Sequence, residues 1–194
     1  PLFAQYEKLG GVYYAYPVTQ TELAEAPEGY EPFYISHYGR HGSRWLPDDE
    51  RYIWVNKQFE DSRRLTKLGK NLRKRLAKVW KNAKGNGGQL TPLGGRQHRG
   101  IARRMYQNFP QLFTEEALLT AHSSTVNRCR TSMENFVSEL RAQNPSIRID
   151  PVTRGEDMKW IAYKSPEQRA FENSLSFPLP ISTDRFINAL FTDL

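Results

Sequence analysis

One cysteine, Cys129, stands among 194 residues. A single thiol excludes an internal disulfide and any cysteine-rich zinc site. The four histidines, His37, His41, His98 and His122, lack the spacing of a metal-ligand set. No apolar run reaches the roughly 18 residues needed to cross a bilayer, so no membrane span is expected. Internal repeats and low-complexity tracts are also missing. The chain opens Pro1-Leu2-Phe3, with neither a methionine nor a basic-then-apolar leader, and a preceding segment is expected to have been removed.

Aromatic residues, at 12%, are plentiful for a chain with 38% apolar content, and such side chains build cores and ligand clefts. The length suits one large domain, or a domain with an appendage. Lys and Arg number 28 against 21 Asp and Glu, a net charge of +7. That balance favours polyanionic partners: nucleic acid, acidic membrane surfaces or a highly phosphorylated small molecule.

Residues 1–32 are rich in Gly, Pro and Tyr and read as an irregular lead-in, and Phe33–Tyr38 then has the composition of a short strand. Pro47-Asp48-Asp49 marks a helix start. From Leu65 to Lys84 the period is helical: Leu65, Leu68, Leu72, Leu76 and Val79 share a face, and Lys and Arg occupy the remainder. Gly85-Asn86-Gly87-Gly88 stops that helix. Thr91-Pro92 is an N-cap followed by a first-turn proline, opening a helix that should bury Leu93, Ile101 and Met105 and end before Pro110. Leu118–Ala121 and Ile147–Ile149 are further strand candidates. Between them a helix over 127–142 places Met133, Phe136, Val137 and Leu140 on one face. Past Gly155 the pattern breaks into short pieces at Pro166, Pro178 and Pro180. Strand, helix, helix, strand, helix is an α/β order, a sheet flanked by helices.

The chemistry concentrates in Arg40-His41-Gly42-Ser43-Arg44, directly after the first strand candidate. Ligands of open α/β sheets bind at the carboxyl ends of strands. Arginine offers phosphate a planar fork of donors that stays charged at any working pH. A neutral imidazole nitrogen can attack phosphorus, provided the other ring nitrogen keeps its proton on a fixed acceptor. By chance, Arg-His-Gly-x-Arg occurs on the order of once in a thousand chains of this length. Arg128 stands in the first turn of the helix over 127–142, where free backbone N–H groups already favour an anion.

These motifs resemble the histidine acid phosphatases, which are marked by Arg-His-Gly-x-Arg, and more narrowly their multiple inositol polyphosphate phosphatase branch, which includes phytases. Ser123-Ser124, Arg128-Cys129 and Ser132 are similar to that branch's Ser-Ser…Arg-Cys…Ser pattern. Leu90-Thr91-Pro92-Leu93-Gly94-Gly95-Arg96-Gln97 resembles its Leu-Thr-x-x-Gly-x-x-Gln helix start. The resemblance spans about 33–140. It implies that His41 takes the phosphoryl group as a phosphohistidine and that Arg40, Arg44 and Arg128 hold phosphate oxygens. No metal or cofactor is implied, and the expected partner is a polyanionic phosphorylated small molecule such as phytate, with no nucleic acid. Residues 1–150 would form the α/β phosphatase core and 151–194 the start of a helical cap or insert. A periplasmic or secreted location is implied in the same way. The proline that the family places two positions after the second arginine is shifted here to Pro47.

The family's proton donor comes from a His-Asp or His-Ala-Glu motif, and here the four histidines precede Tyr, Gly, Arg and Ser. An N-terminal portion of a longer protein is therefore expected. The alternative is a donor from Glu115 or Glu116, by analogy with the shorter phosphoglycerate-mutase-like branch. His122, at a strand end before the Arg128 loop, is a candidate substrate contact. His37 reads as a packing residue, His98 as a surface residue within a helix, and Cys129 as a small packing residue. Two rivals stand beside the enzyme: a polyanion- or nucleic-acid-binding module built on the basic helix at 63–84, and a family relative inactive for want of a donor.

Overall fold

The computed structural model describes residues 6–16, 23–161, 164–175 and 182–192. Pro178 and Pro180 lie outside them. The α-helices, in chain order, are α1 Asp49–Gln58, α2 Lys67–Ala83, α3 Pro92–Asn108, α4 Asn127–Gln143, α5 Met158–Ile161, α6 Pro166–Ser174 and α7 Asp184–Leu190. Strands β1, Ala121–Ser123, and β2, Pro151–Thr153, pair in parallel, with His122 opposite Val152. The chain divides into two compact units, one of Pro1–Arg44 with Leu90–Ile161, the other of Trp45–Gln89 with Ala162–Leu194.

The described residues are mostly helical, with this small parallel sheet in place of the broader one expected. Phe33–Tyr38 forms no strand, and Phe33 is 91% exposed. Leu118–Leu119-Thr120 also stays outside the ladder, which starts at Ala121. Ile147 and Ile149 alternate inward with Arg148 outward, yet the ladder begins only at Pro151. Apolar alternation reports an extended, half-buried backbone; a strand also needs a partner for its N–H and C=O groups. Ile147 and Ile149 join a side-chain core instead.

In the first unit α3 packs against α4. Ala102, Phe113, Val137, Leu140, Ile147 and Ile149 form the core, flanked by Met105, Met133 and Phe136. The α4 face matches the expected one. That of α3 does so only in part: Met105 packs on this core, but the buried residues are Gly94, Gly95, Gln97, His98 and Ala102, and Leu93 is exposed. A Cβ on Gly94 would lie 2.3 Å from the Ser43 carbonyl oxygen, and one on Gly42 would lie 2.5 Å from the Gly94 carbonyl oxygen. Backbone meets backbone here, so the contact face is the one with the smallest residues. Glu139, buried on α4, accepts from Nε of Arg103 on α3 at 2.8 Å and from Gln143, and the Arg103 hydrogen bond lowers its pKa.

In the second unit Asp48 caps α1 and Thr66 caps α2. Phe59, Leu65 and Leu190 form its core, with Leu72, Leu76 and Phe191 against them. Leu68, expected on the buried face of α2, is 57% exposed, and Gly69 is buried in its place. A Cβ there would approach the Leu190 carbonyl oxygen to 2.1 Å, so the position admits only glycine without displacement. Gly85, at φ +80°, turns the chain out of α2, and its N–H and that of Gly87 bind the Asp49 carboxylate at 2.7 and 3.1 Å.

Gly94→Ala is expected to lower stability by about 1–3 kcal/mol, the usual cost of forcing a methyl into closed space. Gly95→Ala, where the new Cβ would meet the Asn135 side-chain oxygen at 3.0 Å, should cost less. Urea unfolding of the two variants checks this, and equal stabilities would contradict it.

Candidate active site

The loop Arg40–Ser43 has its backbone held by side chains of two helices. Nε2 of His98 donates to the Arg40 carbonyl at 3.1 Å. The Gly42 N–H donates to Ser132 Oγ at 3.1 Å, and that hydroxyl donates to the Arg128 carbonyl at 2.7 Å. The Ser43 N–H donates to Gln97 Oε1 at 2.8 Å. The Ser43 carbonyl accepts from Thr91 twice, from its N–H at 2.9 Å and its Oγ1 at 2.8 Å. Thr91 also caps α3 through the Gly94 N–H. Each such bond contributes about 0.5–1.5 kcal/mol net, and together they leave the loop little freedom.

Within this frame Nδ1 of His41 donates to the Gly42 carbonyl at 2.8 Å. With the proton fixed on Nδ1, a neutral ring keeps its lone pair on Nε2. Burial is the main cause that lowers the His41 pKa; the Gly42 bond opposes it, and the charges of Arg128, Arg40 and Arg44 lower it further. The ring is therefore neutral at pH 7 in a strongly positive surrounding.

The three arginines predicted from sequence are thus brought around His41, and their charges act on it. Arg128 lies in the first turn of α4, a helix whose N-cap, Val126, offers no side-chain cap. Its Nε is buried with no hydrogen-bond partner. Arg40 and His41 line a cavity of about 830 Å3, as do His98, His122 and Ser124, whereas Arg44 and Arg128 are not in its lining. His122 bonds through Nδ1 to Asp157 Oδ2 at 3.1 Å.

Of the remaining candidates, Glu115 is paired with Arg148 at 2.6 Å, and Glu116 lines the cavity. His37 stacks on Phe136, with ring centroids 5.3 Å apart, and burial lowers its pKa. Cys129 is half-buried at the cavity wall. His98 corrects the surface placement expected for it: it is 7% exposed and holds the Arg40 carbonyl. A histidine amid arginines on a helix reads as polar-face, but only an apolar-scale reading misses that the buried face here is made of glycines and hydrogen-bonding side chains. Gln97, Thr91 and Ser132 were legible as parts of motifs without a role, and their helical spacing to Gly94 and Arg128 was the available signal. Asp157, 35 residues beyond His122, had none. Among the described residues no His, Cys, Asp and Glu side chains gather as a metal-binding group, and no helix is long and apolar enough to cross a membrane.

No protein-family model matches the chain, and no curated protein does either. A solved structure does. The chain resembles the crystal structure of the Bifidobacterium longum multiple inositol polyphosphate phosphatase in complex with inositol hexasulfate, at 27% identity and a TM-score of 0.50. The match covers 65% of this chain and 27% of that one, so the chain corresponds to about a quarter of the phosphatase's length. The likeness is one of backbone and sequence together, and it agrees with a histidine-phosphatase-like fold for the matched part.

Burial lowers the pKa values of His37, His41 and His98 below the ordinary 6.5. The unfolded chain then binds more protons than the folded one below that value. Their contribution to stability is present above pH 6.5 and is lost as pH falls through the folded values. Denaturation midpoints should thus fall from pH 7.5 to pH 5, in a range where carboxylates contribute little. A flat profile over that interval would contradict the burial of these rings.

Proposed function

We propose that this chain is the phosphate-capturing, nucleophile-bearing portion of a histidine phosphatase that hydrolyses phosphomonoesters, with inositol polyphosphates as substrates. One observation carries the proposal: the 2.8 Å bond from His41 Nδ1 to the Gly42 carbonyl, made under the charges of three arginines. It supplies what an imidazole nucleophile needs, a fixed tautomer with the Nε2 lone pair available at neutral pH.

In the proposed reaction Nε2 attacks phosphorus and the P–O bond to the alcohol breaks, leaving a phosphohistidine. Arg40, Arg44 and Arg128 stabilise the charge on the equatorial oxygens. Water then cleaves the N–P bond and returns neutral His41. The departing oxygen is proposed to take its proton from a His-Asp or His-Ala-Glu motif, which none of the four histidines here begins. The inositol hexasulfate bound by the structural neighbour, a ring bearing tetrahedral oxyanions, supports the choice of substrate class. The exposed cations of α2, among them Lys70, Lys74 and Lys78, would attract such a polyanion to the chain. Export to the periplasm or beyond belongs to the same proposal.

His41→Ala should abolish turnover of p-nitrophenyl phosphate, and denaturing quench of the unaltered protein with labelled substrate should leave an acid-labile label on His41. Near-normal turnover by the variant would overturn the mechanism. Arg128→Ala is expected to lower kcat by about 100- to 1000-fold, the usual cost of one lost oxyanion donor.

The exposed α2 cations also favour a second reading, a polyanion-binding module. Salt-sensitive binding to duplex DNA, lost in Lys74→Gln/Lys78→Gln and indifferent to His41→Ala, would mark that function instead.

A further inference from the structure

His122 differs from the other histidines on the cavity wall. His37, His41 and His98 are each pushed toward neutrality by burial. The His122 side chain is 42% exposed and paired, through Nδ1, with the Asp157 carboxylate at 3.1 Å. Asp157 is 22% exposed and stands just before α5, and the pairing reaches it from β1 across 35 residues. It fixes the ring's orientation and leaves Nε2 as the nitrogen that can meet a ligand. When both nitrogens carry protons, the carboxylate balances the ring's charge.

The cavity that His122 shares with Arg40 and His41 is, at about 830 Å3, in the size range of sites for whole small molecules. The esterified phosphate alone needs only the Arg40–Arg44 loop and Arg128. A polyphosphorylated ring brings further dianionic groups, and they must meet donors elsewhere on the wall. Arg40 and the partly exposed, Asp157-paired His122 are basic side chains of that lining. Glu116, also in the lining, would oppose anions on its own stretch.

On the strength of the phosphatase function proposed above, we infer that Nε2 of His122, its ring held by Asp157, contacts a second phosphate of the substrate, one not under attack. His122 is then a specificity determinant that favours polyphosphates over simple monoesters. Asp157 is a positioning residue that acts through it.

The test uses the unaltered protein, His122→Ala and Asp157→Asn, with two readouts. Calorimetric binding of inositol hexasulfate, which cannot be hydrolysed, should weaken about tenfold or more in His122→Ala, as expected for the loss of a hydrogen bond to a charged group. The ratio of kcat/KM for inositol hexakisphosphate over that for p-nitrophenyl phosphate should fall by a similar factor. Asp157→Asn should move both readouts in the same direction by less, while thermal unfolding shows whether each variant folds. An unchanged ratio with unchanged hexasulfate binding would overturn the role of His122. So would a loss of kcat that is larger for inositol hexakisphosphate than for p-nitrophenyl phosphate while hexasulfate binding is unchanged, since that pattern belongs to proton transfer to a poor leaving group. If the unaltered protein neither turns over p-nitrophenyl phosphate nor labels His41, the phosphatase function itself fails. Hexasulfate binding that still depends on His122 would then keep the anion contact.

Discussion

The close approach of Gly42 to Gly94 is the contact on which the site depends. Two backbones touch where a Cβ on either glycine would lie about 2.5 Å or less from a carbonyl oxygen of the other segment. That approach brings the loop within hydrogen-bond reach of Thr91, Gln97 and His98 on α3 and of Ser132 on α4. Larger residues at 42 or 94 would hold the backbones apart and lengthen every one of these bonds. The steric minimum thus comes first, and the polar network is built on it.

Holding α3 and α4 at a fixed separation is the next requirement, because each contributes to the same loop. Ala102, Val137 and Leu140 set that separation from inside, and the Arg103–Glu139 pair bridges the two helices at the partly covered rim. The apolar core supplies the adhesion; the ion pair, with Arg103 half exposed, contributes little energy but fixes register. Arg128 and Ser132 lie one turn apart on α4, so the seating of Ser132 on Gly42 also places the Arg128 backbone. The catalytic candidates are therefore positioned by the packing of two helices, with β1 delivering the chain into α4.

This explains what was legible in the sequence and what was not. The starts at Asp48 and Thr91 were readable because caps are local, each side chain accepting a hydrogen bond from a nearby backbone N–H; the start of α2, expected at Leu65, falls after the cap Thr66. The α4 face was readable because its contacts are made by large apolar side chains. The α2 and α3 faces were legible in part: Leu65, Leu72, Leu76 and Met105 pack on the two cores as their spacing implies. The tightest contacts are made by Gly69, Gly94 and Gly95, which do not protrude, so Leu68 and Leu93 stand exposed where apolar periodicity places them inside. Strands failed differently. Phe33–Tyr38 and Ile147–Ile149 have the composition of strands, but pairing depends on residues distant in sequence, and no local pattern reports it. The gathering of Arg40, Arg44 and Arg128 about His41 was legible because chemistry constrains residue type and spacing together. Asp157 was not, because only the fold brings it to His122.

The electrostatics of His41 give the proposed reaction its direction. Partial burial first, and then the three guanidinium groups, disfavour a second proton on the ring, which favours a neutral imidazole within a positive field. A phosphate dianion entering that field offsets much of it. In that proposed reaction the Nε2 lone pair would face phosphorus as the arginine charge is satisfied by the oxygens. Attack would place positive charge on the ring, where the Gly42 carbonyl, already bonded to Nδ1, is positioned to stabilise it. The same backbone oxygen thus fixes the tautomer before attack and supports the charged ring after it. A side-chain acceptor in that place could rotate or titrate; a carbonyl of a loop anchored through Gly42 and Ser43 can do neither.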